Sequence, residues 1–415
     1  MAERILHYPK QFLNQVDINL GNLRHNYRIM KELAGTKPIM AVIKGDAYGH
    51  GLIQCAKALV SEGALHLGVQ DVTEGVALRD VGIREQQIYI LSGLDYPSQI
   101  TLAAERDLVV FVYSREQLVN VMNLAQVRTF RIKVFLKIDT GMGRLGMAVR
   151  DALPFMQQAQ ASPYLHVIGL ATHLATISDQ EAVDQIKAFQ TLLEKGEEIF
   201  QKPLIGSALS GGAMLAHPEY PDGLSRVGLA LYGVPPHKDR LVSPVPWTAE
   251  GHVFLEPPLF PPKLTAEPKP AIRPTVKAAQ ELKPVMRVAS TVIQVKRLRK
   301  NDPVSYDRTF HAPQDMTIAL VPFGYVNGLN TSRSDKNCAL IRGQRVDQIG
   351  RICMSLTAYD VTHLETCRPG DEVVLLGESE GEVLDAYQEY YQEYANPYEI
   401  LCLFGRLNRR VHKDD

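Results

Sequence analysis

The chain has 415 residues, a formal net charge of -1 and a pI near 6.9. That length suits two domains, and 45% hydrophobic with 22% charged residues is ordinary for a soluble globular protein. No basic stripe marks a nucleic-acid partner, no apolar run reaches the length of a membrane span, and five scattered cysteines without a Cys-x-x-Cys pair suggest neither zinc nor a disulfide framework. The start, Met1-Ala2-Glu3-Arg4-Ile5, lacks the apolar core of a signal peptide, so a cytoplasmic setting is the default expectation.

After Val16-Asp17-Ile18-Asn19-Leu20 comes a helical pattern from Leu23 to Leu33. Short apolar runs then alternate with amphipathic stretches. The runs at 39–43, 66–69, 88–91, 108–112, 132–138, 165–172, 204–209 and 227–231 read as strands, and stretches such as 71–80 and 184–200 as helices. Such alternation implies an α/β protein with parallel strands and crossover helices. Eight strands over roughly 200 residues suit a closed (β/α)8 TIM-like barrel. An open doubly wound sheet is the alternative, without the Gly-x-Gly-x-x-Gly that would mark its first turn. The barrel is expected over residues 1–236, with the possibility that the N-terminal strand joins the next domain.

Residues 237–283 are rich in proline, with Pro257-Pro258, Pro261-Pro262 and the single tryptophan, Trp247. They read as a linker or extended surface arm. From 284 to 415, short β-rich runs at 286–295, 317–321, 347–352 and 372–376, and the turn Arg368-Pro369-Gly370-Asp371, imply a mainly antiparallel β domain. A helix-like segment from Pro397 and a basic tail close the chain.

The apolar run at 39–43 stops at Lys44, and a glycine-rich turn follows, Gly45-Asp46-Ala47-Tyr48-Gly49-His50-Gly51. Burial at a strand end lowers an amine's pKa, and a desolvated amine condenses with aldehydes. A lysine whose stem carries the charge back to solvent is the bland alternative. Barrel active sites form at the C-terminal strand ends. There the fifth strand, ending Lys137-Ile138-Asp139-Thr140, runs into Gly141-Met142-Gly143-Arg144-Leu145-Gly146. The sixth ends at Thr172-His173, the seventh at Leu209-Ser210-Gly211-Gly212, and the eighth opens with Arg226. Singly, His173 could be a core histidine, Arg226 half of an ion pair and Gly211-Gly212 a plain turn. Together they suit a phosphorylated aldehyde. Ser210 before a helix start offers a hydroxyl and backbone N–H groups to an anion. The backbone at Gly228 and Leu229 would add to the phosphate site that barrels often place after strands seven and eight.

Residues 41–51 resemble the cofactor-lysine motif of the alanine racemases, pyridoxal phosphate enzymes of fold type III. Lys137 to Gly146 resembles their second signature. Thr172-His173, Ser210, Arg226, Leu231-Tyr232-Gly233, Gly324-Tyr325, Gly350-Arg351-Ile352-Cys353-Met354 and Tyr398-Glu399 are also similar. The resemblance covers nearly the whole chain apart from the proline-rich segment. It implies pyridoxal 5'-phosphate bonded covalently to Lys44, with its phosphate contacted by Tyr48, Ser210 and Tyr398, its ring against His173 and its ring nitrogen bonded by Arg226. It implies Arg144 near the cofactor phenolate and the substrate carboxylate, a carbamylated Lys137 holding Arg144, and a Met354 backbone N–H offered to the substrate. Lys44 and Tyr325 would be two bases on opposite faces of Cα. Tyr325 would come from the partner in a head-to-tail homodimer with shared active sites.

Three positions depart from the family pattern. Asn327 and Ser355 stand where aspartate is usual, and Leu209 where asparagine is common. Two of these changes remove a carboxylate near the second base and the substrate site, while the cofactor signatures are kept. The resemblance therefore implies interconversion of L- and D-alanine. The alternatives are a racemase for another amino acid, another fold-type III enzyme, or a non-catalytic pyridoxal phosphate-binding protein. Proteins of the last kind resemble the barrel alone, whereas this chain keeps the second domain and both candidate bases.

Overall fold

A strand such as Leu108–Val112, apolar and buried at every position, needs cover on both faces, as in a parallel sheet wrapped by helices. The computed structural model, which describes residues 13–94, 96–177, 179–234, 274–386 and 397–414, places it in such a sheet. In chain order its strands are Ile39–Val42, His66–Val69, Gln87–Ile90, Leu108–Val112, Ile132–Asp139, Leu165–Ala171, Ile205–Ser207 and Ser225–Val227. The last pairs in parallel with the first. The seam between the seventh and eighth is closed by few backbone contacts. Leu224 N–H donates to Gly206 O at 3.0 Å, Arg226 N–H donates to Leu209 O at 2.9 Å, and Ser210 forms a parallel bridge with Arg226. The result is the nearly closed (β/α)8 barrel that the alternation implies.

Intervening helices include Leu52–Ser61, Val72–Asp80, Arg115–Arg128 and Gln180–Phe200. Asp71, Ser114 and Asp179 start the last three by accepting first-turn backbone N–H groups. Tyr89, Phe111 and Phe135, from three neighbouring strands, pack ring on ring, with Phe111 stacked on Phe135 at 5.2 Å.

The eighth strand differs from the expected 227–231. It spans Ser225–Val227 and gives way to a 3-10 turn, Leu229–Tyr232. Gly228, at φ −112° and ψ −100°, breaks the strand, and Leu231 N–H then donates to Gly228 O at 2.8 Å. Arg226 consequently lies within the strand, and Gly228 and Leu229 form its C-terminal exit. The proline-rich 237–283 segment lies outside the described residues as far as 273. Its last part is a helix, Pro274–Glu281, rather than an extended arm, and Ala279 is buried.

Compactness divides the chain into a barrel unit, Asn22–Ala47 and Leu52–Lys283, and a second unit of Gly21 and the described residues before it, Tyr48–Gly51, and the described residues from Pro284 on. The second unit's sheet runs, strand by strand, Gln294–Leu298, Met316–Val321, Thr357–Asp360, Gln344–Ile349, Cys338–Ile341, Glu372–Ser379, Met286–Thr291, Gln15–Asn19 and Arg410–Lys413. Every pairing along it is antiparallel except the last. The expected 286–295 run splits in two because the chain changes neighbours. Val292 N–H donates to Asp371 O at 2.9 Å, and the next residue, Ile293, donates to Leu320 O at 2.9 Å. Among the described residues, no helix is long and apolar enough to cross a membrane, and no group of three His, Cys, Asp or Glu side chains could hold a metal.

Within this unit the helix Pro397–Leu407 lies backbone to backbone against Gly49. A methyl group at Gly405 would sit far inside van der Waals contact of the Gly49 carbonyl. Gly405→Ala should destabilise the protein by about 1–3 kcal/mol through overpacking, although alanine is the better helix former. An unchanged denaturation midpoint would overturn this account of the contact.

Candidate active site

The first barrel strand hands over to Lys44 by continuing its ladder one step, with Ile43 N–H donating to Gly68 O at 2.8 Å. The backbone then turns left-handed. Gly45, Asp46, Ala47 and Tyr48 have φ of 67°, 58°, 54° and 53°. Each non-glycine residue in that region costs about 1–2 kcal/mol, so side chains have to hold the turn. Asp46 N–H donates to Glu74 Oε1 at 2.7 Å, and Asp46 Oδ1 accepts Leu52 N–H at 2.7 Å, starting the next helix. Glu74 Oε2 also accepts Gln70 N–H at 2.7 Å. Burial raises the Glu74 pKa, against the pull of these two donors. Sequence reasoning missed Glu74. It stands three residues after the helix-starting Asp71, a spacing that reads as an ordinary capping pair.

Lys137 points from the end of the fifth strand, paired with Ala171. Desolvation and the charges of Arg226, Arg144 and Lys44 bring its pKa down to about 8, with Asp139 pulling the other way. Asp139 shapes the loop that follows. Its Oδ1 accepts the N–H groups of Gly141, Met142 and Gly143 at 3.0, 2.7 and 3.2 Å, and its Oδ2 accepts Arg144 N–H at 2.9 Å. Burial works against the carboxylate, but the four donors win and its pKa is lowered. The Arg144 side chain is left exposed.

Arg226 is 8% exposed. Its Nη1 donates to Ser207 O and Oγ at 2.7 and 2.6 Å, and its Nη2 to Thr172 O at 2.7 Å and His173 Nδ1 at 3.1 Å. A guanidinium only donates, so His173 Nδ1 is the acceptor and the ring's proton sits on Nε2. Desolvation, then the charges of Arg226, Lys137, Arg144 and Lys44, lower the His173 pKa to about 2. Arg226 itself falls to about 10 through desolvation and remains protonated at neutral pH. Asp222, fully enclosed, accepts Ala208 N–H at 2.9 Å, Leu209 N–H at 3.1 Å and Ser225 O–H at 2.9 Å. It was hidden in the sequence because Pro221-Asp222-Gly223 reads as a turn. Ser210 caps Gly211–Ala216 by accepting Ala213 N–H at 3.3 Å. Gly228 and Leu229 follow at the neighbouring strand exit.

The barrel unit thus gathers Lys44, Lys137, Arg144, His173, Ser210, Arg226, Gly228 and Leu229 at the strand ends. Its chemistry is a flat neutral imidazole among four cationic side chains, beside a hydroxyl and turn N–H groups. That set fits an anionic, phosphorylated aromatic aldehyde. In the second unit, Tyr48 is buried with its pKa raised, chiefly by desolvation, and its ring lies 5.8 Å from that of Tyr398. Tyr325 and Met354 sit side by side there. Tyr325 N–H donates to Cys353 O at 3.1 Å, and Val326 N–H donates to Met354 O at 2.9 Å. Both side chains are exposed, as is Ser355.

Two family models match the chain: the alanine racemase N-terminal domain over residues 18–236 and the alanine racemase C-terminal domain over residues 285–412. The alanine racemase of Nitratidesulfovibrio vulgaris is 33% identical over 405 residues, covering 96% of this chain and 98% of the relative. Among solved structures, the alanine racemase from D-cycloserine-producing Streptomyces lavendulae superposes with a TM-score of 0.83, at 27% identity and with 98% of each chain covered. The Bartonella henselae alanine racemase, solved with covalently bound pyridoxal phosphate, has the same fold at a TM-score of 0.79 and 22% identity, covering 97% of this chain and 100% of its own.

The neutral His173 has a consequence for stability. An unfolded histidine takes up a proton near pH 6.5, whereas the folded ring resists it down to about pH 2. The stability linked to this residue is therefore complete above pH 6.5 and is lost as the pH falls, by up to about 1.4 kcal/mol per pH unit. His173→Gln should remove that slope. Between pH 7 and 5 the wild type should lose more denaturation free energy than the variant, and equal losses would contradict the assignment.

Proposed function

The chain belongs to the alanine racemase family and is an enzyme, and from that premise we propose that it interconverts L- and D-alanine with pyridoxal phosphate and two bases, Lys44 and Tyr325. The observation that carries the proposal is the cluster of Lys44, Lys137, His173 and Arg226 at the C-terminal strand ends, within a chain matched by both domain models of the family. Pyridoxal phosphate, when bound, supplies an electron sink for the carbanion left when the α-proton departs.

The roles of the chain's own residues follow from their chemistry. Lys44 bonds the cofactor and, once substrate has taken its place there, holds or returns the α-proton on one face of Cα. Tyr325 of a second copy does the same on the other face, in a head-to-tail homodimer. Ser210, Tyr48, Tyr398 and the backbone at Gly228 and Leu229 hold the phosphate, and His173 packs on the ring. Arg226 stays protonated and donates a hydrogen bond to the ring nitrogen without surrendering a proton. By withholding that proton, Arg226 would weaken the electron sink that the cofactor supplies and so favour reprotonation over transamination. Arg144 and the Met354 N–H orient the substrate carboxylate. With a pKa near 8, Lys137 is partly neutral at cellular pH. Its amine adds to carbon dioxide with loss of one proton, and the carbamate so formed pairs with Arg144.

Lys44→Ala and Tyr325→Phe should each lose most of the conversion of L-alanine to D-alanine. Co-expressed, they should recover activity, because a mixed dimer contains one site with both native bases. No recovery, with mixed dimers demonstrated, would remove Tyr325 from the partner's site. A second expectation concerns Lys137: protein incubated with 13C-bicarbonate should carry one carbamate resonance, and Lys137→Met should lack it. A resonance that survives the substitution would place the carbamate elsewhere.

A further inference from the structure

We propose that Asn327 and Asn408 form a two-amide lock that positions Tyr325, and that residue 327 is an amide here because Asn408 faces it. The inference rests on the reading of Tyr325 as a base.

The turn Tyr325–Asn327 begins directly after Gly324. Asn327 Oδ1 accepts Gly324 N–H at 3.1 Å, and Asn327 Nδ2 donates to Asn408 Oδ1 at 2.9 Å. Asn408 follows the helix Pro397–Leu407. Its Nδ2 donates to Asn327 O and to Phe404 O, both at 2.9 Å. One side chain therefore closes the end of the helix that carries Tyr398 and grips the backbone of the turn that carries Tyr325.

The backbone dictates the orientation of both amides. Asn408 Nδ2 lies on two carbonyl oxygens, which only accept. Turning the amide over would set three acceptors against one another, so Asn408 has to present its oxygen to residue 327. Residue 327 meets that oxygen with a donor. Its other atom faces the Gly324 N–H and has to accept. An amide satisfies both demands at this length, whereas an ionised carboxylate satisfies only the second. Asn327→Asp would keep the Gly324 bond and set a negative oxygen against Asn408 Oδ1. The departure from the family's aspartate is thus matched by a residue 81 positions away.

On the other side, Tyr325 and Val326 are fixed by backbone bonds to Cys353 and Met354. The lock holds the opposite end of the same turn. Releasing it leaves Tyr325 present but displaced, and misplacement by about 1 Å of a group that handles a proton costs up to about a hundredfold.

The test compares wild type, Asn327→Asp, Asn408→Lys and the double variant in alanine racemisation, measuring kcat, KM and the α-deuterium isotope effect in each direction. Lysine at 408 has three donors and no acceptor, so it mismatches Asn327 but suits the carboxylate that Asn327→Asp introduces. Each single change should lower kcat about tenfold or more and leave KM within about twofold. The isotope effect should rise only in the direction in which Tyr325 takes the α-proton. The double variant should recover kcat well above the product of the two single losses. Asn408→Ala, which adds no charge, should reproduce the one-directional isotope effect and serves if a charged variant fails to fold. Wild-type kcat and isotope effects in Asn327→Asp, or a loss of thermal midpoint alone, would overturn the proposal. Tyr325→Phe run alongside separates the two ideas. If it racemises normally, the role of Tyr325 fails; if it is inactive while the Asn327 and Asn408 variants are normal, the lock alone fails.

Discussion

A guanidinium buried among backbone carbonyls organises the barrel's working end. Arg226 cannot lose its proton at neutral pH, so its N–H groups need acceptors wherever it lies. It finds them at Thr172, Ser207 and the neutral nitrogen of His173, on the ends of the sixth and seventh strands. The eighth strand, which carries Arg226, is only three residues long and joins its neighbour by few backbone bonds. The arginine therefore does at the seam what a longer ladder does elsewhere. Asp222 completes the arrangement by fixing the N–H groups of Ala208 and Leu209 and the hydroxyl of Ser225, the residue before Arg226. The histidine tautomer, the ring orientation and the approach to Ser210 all follow from where that one charge is tied.

A second constraint sits at the first strand. Three consecutive non-glycine residues in left-handed conformation form a turn that local propensity opposes. It persists because Glu74, from beyond the next strand, accepts the Asp46 N–H, while Asp46 itself starts the helix at Leu52. Strain held in place by distant side chains is common at functional sites. Here it sets how Lys44 leaves the strand.

Much of this was legible in the sequence because it depended on period and position. Apolar runs of strand length separated by helical stretches give a parallel barrel, and Lys44, Lys137, His173 and Ser210 could be assigned to strand ends by counting from those runs. What could not be read were partners chosen by tertiary structure. Glu74 and Asp222 look like cap and turn residues, since that is what their local spacing encodes. The eighth strand reads two residues late because Val227 to Leu231 carries no polar side chain, while the break at Gly228 is a backbone event that composition does not reveal. Asn327 reads alone as a lost carboxylate. Only the fold brings up Asn408, which makes the amide the consistent choice.

Charge balance ties these parts together. Lys44, Lys137, Arg144 and Arg226 crowd one rim, and Asp139, the carboxylate that counteracts them at Lys137, is occupied by four backbone donors. Like charges disfavour protonation of their neighbours, and Lys137, desolvated and flanked by Arg226, Arg144 and Lys44, is brought down to about 8. On the proposed function, the same pressure that frees its amine also rewards turning it into an anion. A carbamate there would turn Lys137 from a repeller of Arg144 into its partner, replacing an unfavourable cation pair with an ion pair. A phosphate bound at the proposed site would likewise favour the protonated form of the nearby lysines. The residues proposed to hold the two anions come from different strands: Lys137 lies in the fifth, and Ser210 and Gly228 follow the seventh and eighth.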